Sequence, residues 1–255
     1  MSITLKAPSQ KIVVSMQWVF VLLFVFYLFF FDINPWIIFV GWFLGWFGGI
    51  IIPHRWYSHN YFVINKNYIK ILFHTIYNLT LIGSIISYKY QHALHHKFND
   101  DVNADPHTPF RTGFWNTTFG LYDNVWKHDR KLWIRLLREC KISKWFHENY
   151  FLIPILLIIT LGLINIELLL FYTASVTISW QLIQLKIATL HWKVWGAYKN
   201  YDCGGYNIWW LKPILMGDEM HNNHHYSSKP NKNYKNNWKE FDPSFYVCKF
   251  LNKIC

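Results

Sequence analysis

Two long stretches of the chain are almost free of charge, and they limit the fold more than any other feature. From Ile12 to His54 the only ionisable acid or permanent base is Asp32, and from Asn149 to Leu185 it is Glu167. Each stretch has room for two helices approaching the roughly 20 apolar residues that a bilayer's hydrocarbon core demands. Asp32-Ile33-Asn34-Pro35 reads as a tight turn, polar and closed by a helix-stopping proline, between spans at 12–31 and 35–52. Asn165-Ile166-Glu167 divides the second stretch into spans at about 150–164 and 168–185. The first span exceeds a signal-peptide core and no small-residue cleavage site follows it, so it is expected to be retained. The pattern predicts an all-α integral membrane protein, multi-pass, with four transmembrane helices in two hairpins.

A net charge of +11 raises the question of nucleic acid, but the placement of the charge answers it. All 25 Lys and Arg lie in the N-terminal tail, between Arg55 and Lys144, or from Lys186 onward, and none lies in either turn. By the positive-inside rule these three segments share the cytoplasmic side. Both termini are then cytoplasmic, and a helical cap forms from 53–148 and 186–255. The basic balance describes a membrane, and no nucleic-acid partner is expected. Cys140, Cys203, Cys248 and Cys255 form no C-x-x-C pair and are expected to be free thiols. The apolar stretch Tyr68–Ile86 carries Lys70, His74 and Asn78. A fifth crossing there would put the following basic region on the wrong face, so an interfacial or buried cytoplasmic helix is expected. The Asn/Lys-rich patch at Lys229–Lys239 reads as a solvated segment, and residues 1–255 read as one domain without internal repeats.

The histidines carry the chemistry. Eight of the 13 fall in three clusters: His54-Arg-Trp-Tyr-Ser-His59, His92-Ala-Leu-His95-His96 and His221-Asn-Asn-His224-His225. Two clusters share the spacing H-x-x-H-H, and on a helix positions i, i+3 and i+4 fall on one face, so three imidazoles can converge on one point. Neutral imidazole is the commonest protein metal ligand and suits Fe, Zn, Cu or Ni. A lone histidine is usually a surface or core residue, which is the reading for His74, His107, His128 and His147. Eight in three tight clusters on one side of a membrane are too many for one tetrahedral ion, and two ions are the economical count.

In this order around two hairpins, the sequences HRWYSH, HALHH and HNNHH resemble the membrane fatty acid desaturases, specifically the acyl-CoA and acyl-lipid delta-9 type. The longer runs HHKFNDDVNADPHTPFRTGFW and GDEMHNNHH extend the resemblance over about Trp36 to Tyr226. It implies an oxidoreductase whose di-iron centre (two Fe ions cycling between Fe2+ and Fe3+) is held by His54, His59, His92, His95, His96, His221, His224 and His225. A ninth ligand falls at His191, at the cytoplasmic end of the fourth span. The implied reaction is O2-dependent insertion of a cis double bond, delta-9, into a saturated acyl chain carried on CoA or on a lipid. No dinucleotide fingerprint or haem-attachment pattern is present, and the implied electron source is a separate donor of cytochrome b5 or ferredoxin type.

The sequence departs from the family at one point: four residues before His191 the family usually has an Asn, and here Ile187 stands, with Gln184 where a Trp is common. A related di-iron hydroxylase or ketolase therefore remains a competing reading, with a non-catalytic relative or a metal transporter behind it. Transport would place ligands within the spans, which hold almost none. Asp105, Asp218 and Glu219 are candidates for orienting the imidazoles, as carboxylates commonly do. Arg55 and Arg111 are candidates for holding an anionic head group or an acidic donor.

Overall fold

The computed structural model describes residues 9–121, 128–229 and 238–255. The Asn/Lys-rich patch falls largely at 230–237, outside the described residues. Among them the regular structure is helical, with two isolated β-bridges, Tyr198–Asn207 and Asn207–Met220.

The first charge-poor stretch gives α1 (Gln10–Phe30) and α2 (Trp36–Phe43), and α2 continues without a break into a π-helical stretch, Leu44–Ser58. The turn between α1 and α2 is closed by its polar groups. Tyr27 donates its hydroxyl to the Asp32 carbonyl, and the Asn34 side chain accepts from the Trp36 N–H. The basic region gives α3 (Asn67–Asn78) and α4 (Ile85–Phe98), the latter capped by Ser84. Two short helices follow, α5 (Pro109–Thr112) and α6 (Phe114–Thr118). Then come α7 (Arg130–Glu139), capped by Asp129, and α8 (Lys141–Glu148). The second charge-poor stretch gives α9 (Leu152–Ile164) and the 26-residue α10 (Ile166–His191), whose N-cap is Asn165. The remainder forms α11 (Lys212–Leu215), α12 (His221–Tyr226) and α13 (Pro243–Ile254).

Among the described residues three helical stretches are long and apolar enough to cross a membrane: Lys11–Phe30, Trp36–Ser58 and Ile166–His191. The third expected span is shorter. At 13 residues α9 reaches about 20 Å, less than the ~30 Å hydrocarbon core, and it joins α8 at a bend of 55°. Two spans run past their predicted ends, through Ser58 and through His191, because the histidine-bearing segments continue the helices. Helix α3 is 12 residues long, with Phe73, His74, Tyr77 and Asn78 buried, and is not among the helices long and apolar enough to cross.

The axis of the bundle is α10, which packs against α1, α2, α6, α9 and the π-helical stretch. Its hydroxyl side chains turn back onto its own backbone. Thr173 donates to the Leu170 carbonyl, Ser175 to Phe171 and Thr177 to Thr173, so these buried polar groups are satisfied within one helix. Glycines at 41, 45 and 49 let the second span approach this face. A Cβ at Gly41 would lie 2.7 Å from Ile178 Cβ, and one at Gly49 would lie 2.7 Å from Ile183 Cδ1. This is the small-residue spacing by which helices in lipid come close enough to gain dispersion energy.

Gly41→Val forces that contact apart and is expected to cost about 1–3 kcal/mol, the usual range for overpacking. Thermal aggregation of the purified protein in detergent should start several degrees lower. Gly162→Ala, where a Cβ meets only Leu169 Cδ2 at 3.5 Å, should leave the transition unchanged.

Candidate metal centre

The local winding of the backbone decides where each imidazole points. In the π-helical stretch the His59 N–H donates to the His54 carbonyl five residues back, at 3.1 Å. That winding brings the two rings to 4.9 Å between centroids. On a 3.6-residue turn, positions five apart would lie roughly 140° from one another.

The two H-x-x-H-H clusters do not converge on one point as expected; each divides. His92 and His96 of α4 join His54, His59 and His224 in one group, and His95 joins His191, His221 and His225 in another. Helical geometry gives the reason. Position i+4 lies about 40° round from i, whereas i+3 lies about 60° round in the opposite sense. The pair at i, i+4 therefore serves one centre and the i+3 residue serves the other. Helix α12 repeats the division with the roles exchanged: His221 and His225 go to the second group and His224 to the first.

Within each group the rings meet through their Nε2 atoms. In the first, His59 lies 2.7 Å from His92, His92 3.1 Å from His96, His96 3.0 Å from His224 and His224 2.9 Å from His54. In the second, the spacings are 2.8 Å for His191–His221, 3.0 Å for His221–His225 and 3.1 Å for His225–His95. A ring nitrogen offers either one N–H or one lone pair, in the ring plane. His92, His96, His224, His221 and His225 each face two other Nε2 atoms, so hydrogen bonds between rings cannot satisfy them all. A cation at the shared centre can. Metal–nitrogen bonds of about 2.1 Å at right angles place nitrogens ~3 Å apart, the spacing found here. The donor set thus fits a metal ion in each group.

Carboxylates behind the rings set their tautomer. Asp105 accepts an aligned hydrogen bond from His95 Nδ1 at 2.7 Å. Asp218 lies 2.8 Å from His54 Nδ1 and Asp100 lies 2.8 Å from His191 Nδ1. In all three a proton held on Nδ1 leaves the Nε2 lone pair facing the centre. Burial first, and neighbouring imidazoles second, hold His59, His92, His221, His224 and His225 below the ordinary histidine range, and the same causes bring His96 to about 3. Neutral rings are the form that binds metal.

The other expected site residues take different places. Glu219 is buried, but its carboxyl accepts from the Gly217 N–H, and burial pushes its pKa up to about 8. Arg55 is too deeply buried to hold a head group or a donor protein. It pairs with Asp242 at 2.7 Å and lies 3.7 Å from Asp218. Arg111 turns inward and donates to the carbonyls of Val102 and Asp105. Among the histidines read as ordinary, His74 meets the Lys70 carbonyl and the Ser143 hydroxyl, and its burial lowers it to about 4. His147 meets Ser84, and His128 is exposed. His107 borders the cavity, with its ring 5.2 Å from that of His95.

Four supporting residues have no signature in the sequence. Asp100 stands in a run of ordinary turn formers, at φ 68°. Lys186 is buried and donates to Asp218 at 2.8 Å. Asn222 and Asn223, between the histidines of the third cluster, are buried and tie it down. Asn222 accepts from the backbone of Asn200 and Tyr201, and Asn223 bonds Asn200 and Asn207.

Beside both groups lies a cavity of about 140 Å3. His54, His92, His95 and His191 border it on one side, and Val13, Val14, Trp180 and Ile183 on another. Ile187 and Gln184 also face it. Ile187 presents only carbon there, beside a second group of four histidines against the first group's five.

Histidines gathered in two metal-sized groups at one end of an apolar helical bundle define a histidine-rich, metal-binding membrane protein. No family model matches the chain. It is similar to delta-9 acyl-lipid desaturase 2 of Arabidopsis thaliana, with 27% identity over 237 residues, covering 86% of this chain and 72% of the relative. It is also similar to the sn-1 stearoyl-lipid 9-desaturase of Synechocystis, with 28% identity, 81% of this chain and 66% of that one. An acyl-CoA 5-desaturase of Anemone leveillei shows 26% identity over 82% of this chain and 66% of its own length. These likenesses, together with the three histidine clusters, support a kinship with the membrane fatty acid desaturases.

Asp100→Asn and Asp105→Asn are each expected to weaken metal retention by roughly 10- to 100-fold, read as Fe2+ or Co2+ titration of purified protein. Asp101→Asn, at an exposed neighbour that caps only the Asn103 N–H, should titrate as the parent does.

Proposed function

We propose that the chain is an O2-dependent fatty-acyl desaturase that introduces a cis double bond, at the delta-9 position, into a saturated acyl chain. The observation that carries this reading is the pair of imidazole groups opening onto a cavity whose other side is lined by Val13, Val14, Trp180 and Ile183. His54, His59, His92, His96 and His224 would hold one iron and His95, His191, His221 and His225 the other. An iron pair supplies O2 activation and removal of hydrogen from unactivated methylenes, chemistry outside the reach of side chains.

The chain's own residues do the rest. Asp100, Asp105 and Asp218 keep the Nδ1 protons in place, so that each ring presents a lone pair. Trp180, Ile183, Ile187 and Val13 shape a dry slot that would hold one C–C bond beside the metals and exclude water. The delta-9 position rests on the names of the relatives, several of which are 9-desaturases.

The topology that serves this reading has four spans in two hairpins, with α8 and α9 together completing the third. The charge distribution puts the histidines and both termini on the cytoplasmic side, where a separate donor of cytochrome b5 or ferredoxin type would deliver electrons. One observation favours a second reading, a lipid hydroxylase or ketolase on the same centre: Ile187 leaves the four-histidine group without the donor the family usually has there.

Cells expressing the chain should gain a monounsaturated fatty acid that is absent from cells expressing His224→Ala and retained with His128→Ala. Mass spectrometry locates the double bond. An oxygenated product would favour the second reading, and an unchanged profile with two irons bound would count against both.

A further inference from the structure

The cavity does not meet the two histidine groups equally. His95, His191 and His221 of the four-histidine group border it, against His54 and His92 of the five-histidine group. An ion held by four nitrogens also keeps more positions unfilled than one held by five, and an unfilled position is what a catalytic metal offers a reactant. A small molecule in the cavity thus reaches an ion most directly at the second group. The wall gives it little to bond there. Ile187 lies one turn before His191 on α10, so it leaves the helix on the same face and offers only carbon.

Of the polar side chains on the wall outside the two groups, three have partners. Lys186 donates to Asp218, Ser87 and Ser84 share a hydroxyl hydrogen bond, and Gln184 also has a partner. Tyr88 lies against His92 of the first group, with ring centroids 5.7 Å apart. Gln91 and His107 remain beside the second group. Gln91 is a flexible amide one turn before His95 on α4. His107 is a rigid ring 5.2 Å from that of His95, a spacing close to the 4.7 Å between His95 and His191.

The backbone around His107 is fixed from several directions. Its N–H donates to Asp105 at 2.9 Å, and the other oxygen of the same carboxylate accepts from His95 Nδ1. Arg111 donates to the Asp105 carbonyl, and Thr108, which caps α5, is fully buried. One carboxylate therefore sets both the ligating ring and its neighbour. The His107 ring nitrogens nevertheless stand outside the four-histidine group and meet no hydrogen-bond partner among the described residues, unlike those of His74 and His147. A polar group held out of bulk water is expected to find a partner in the space it faces.

We infer that His107 binds the small reactant of the centre: its ring donates a hydrogen bond to the molecule that enters from the cavity at the second group, O2 in the proposed reaction. The inference rests on the metal centre of the desaturase reading and is independent of the acyl substrate.

The test uses azide, a small anion that fills open metal positions, with the purified full chain loaded with Co2+ in detergent. Azide should shift the visible cobalt bands of the parent. His107→Ala should weaken azide binding about tenfold or more, the worth of a hydrogen bond to a charged group, with cobalt content unchanged. His107→Gln keeps an N–H donor and should stay within about threefold of the parent. Gln91→Leu should bind azide as the parent does, and Ile187→Phe, which fills the space before His191, should block it. Unchanged azide affinity in His107→Ala would overturn the inference, as would loss of cobalt in both His107 variants. A tenfold loss in Gln91→Leu, or none in Ile187→Phe, would place the ligand elsewhere and overturn it too. A parent that holds two cobalt ions but shows no azide shift overturns the inference and leaves the metal centre standing. A parent that holds no cobalt removes the metal centre itself, and the inference with it.

Discussion

The structure depends on holding imidazole lone pairs face to face in a place from which water is largely excluded. Nitrogens 2.7–3.1 Å apart, five of them with two like neighbours, repel unless a cation lies among them. Protonating the rings would not relieve this, because burial and neighbouring imidazoles already disfavour the charged form. The protein must therefore supply rigidity from outside the clusters until metal supplies attraction from within. Each ring is accordingly anchored in a helix or at its end, and the four helical elements that carry them come from distant parts of the chain.

The anchoring charges form a network as closely balanced as the site. Arg55 and Lys186 bring two positive charges into the interior, and Asp218 and Asp242 bring two negative ones. Removing any one would leave an unmatched buried charge, which costs several kcal/mol, whereas the full set is roughly self-compensating. The network has a geometric result. It joins the π-helical stretch, α10, the loop before α12 and the cap of α13, which are the elements that must agree on the position of His54. Asp242 also accepts from the Phe245 N–H at the start of α13, so the C-terminal helix is tied to the same point.

The sequence carried the gross outline, because that outline follows from composition. Stretches nearly free of charge make long apolar helices in any register, and histidines at i, i+3, i+4 bring imidazoles together wherever a helix forms. What it concealed depended on winding and on contacts between distant segments. His54 and His59 look mismatched at five residues apart until the backbone winds as a π-helix. Nothing local to Asp100 separates it from Asp101, yet one lies against His191 and the other is exposed. Arg55 looks like a surface cation beside a metal box, and only the approach of Asp242, 187 residues on, makes it an interior one. The glycines at 41, 45 and 49 take their meaning only from the face of α10 they press against.

The π-helical stretch joins these findings. A tighter α-helix from Trp36 to Ser58 would turn His59 away from His54. One continuous helical segment thus carries glycines that meet α10 along its length and imidazoles that meet α4 and α12 at its end. Pro53 lies inside this stretch, where it provides no N–H to the ladder. Packing within the apolar bundle and geometry at the candidate metal centre are thus set by the same segment. A change that relaxed the winding would disturb the centre through the backbone, without touching a ligand.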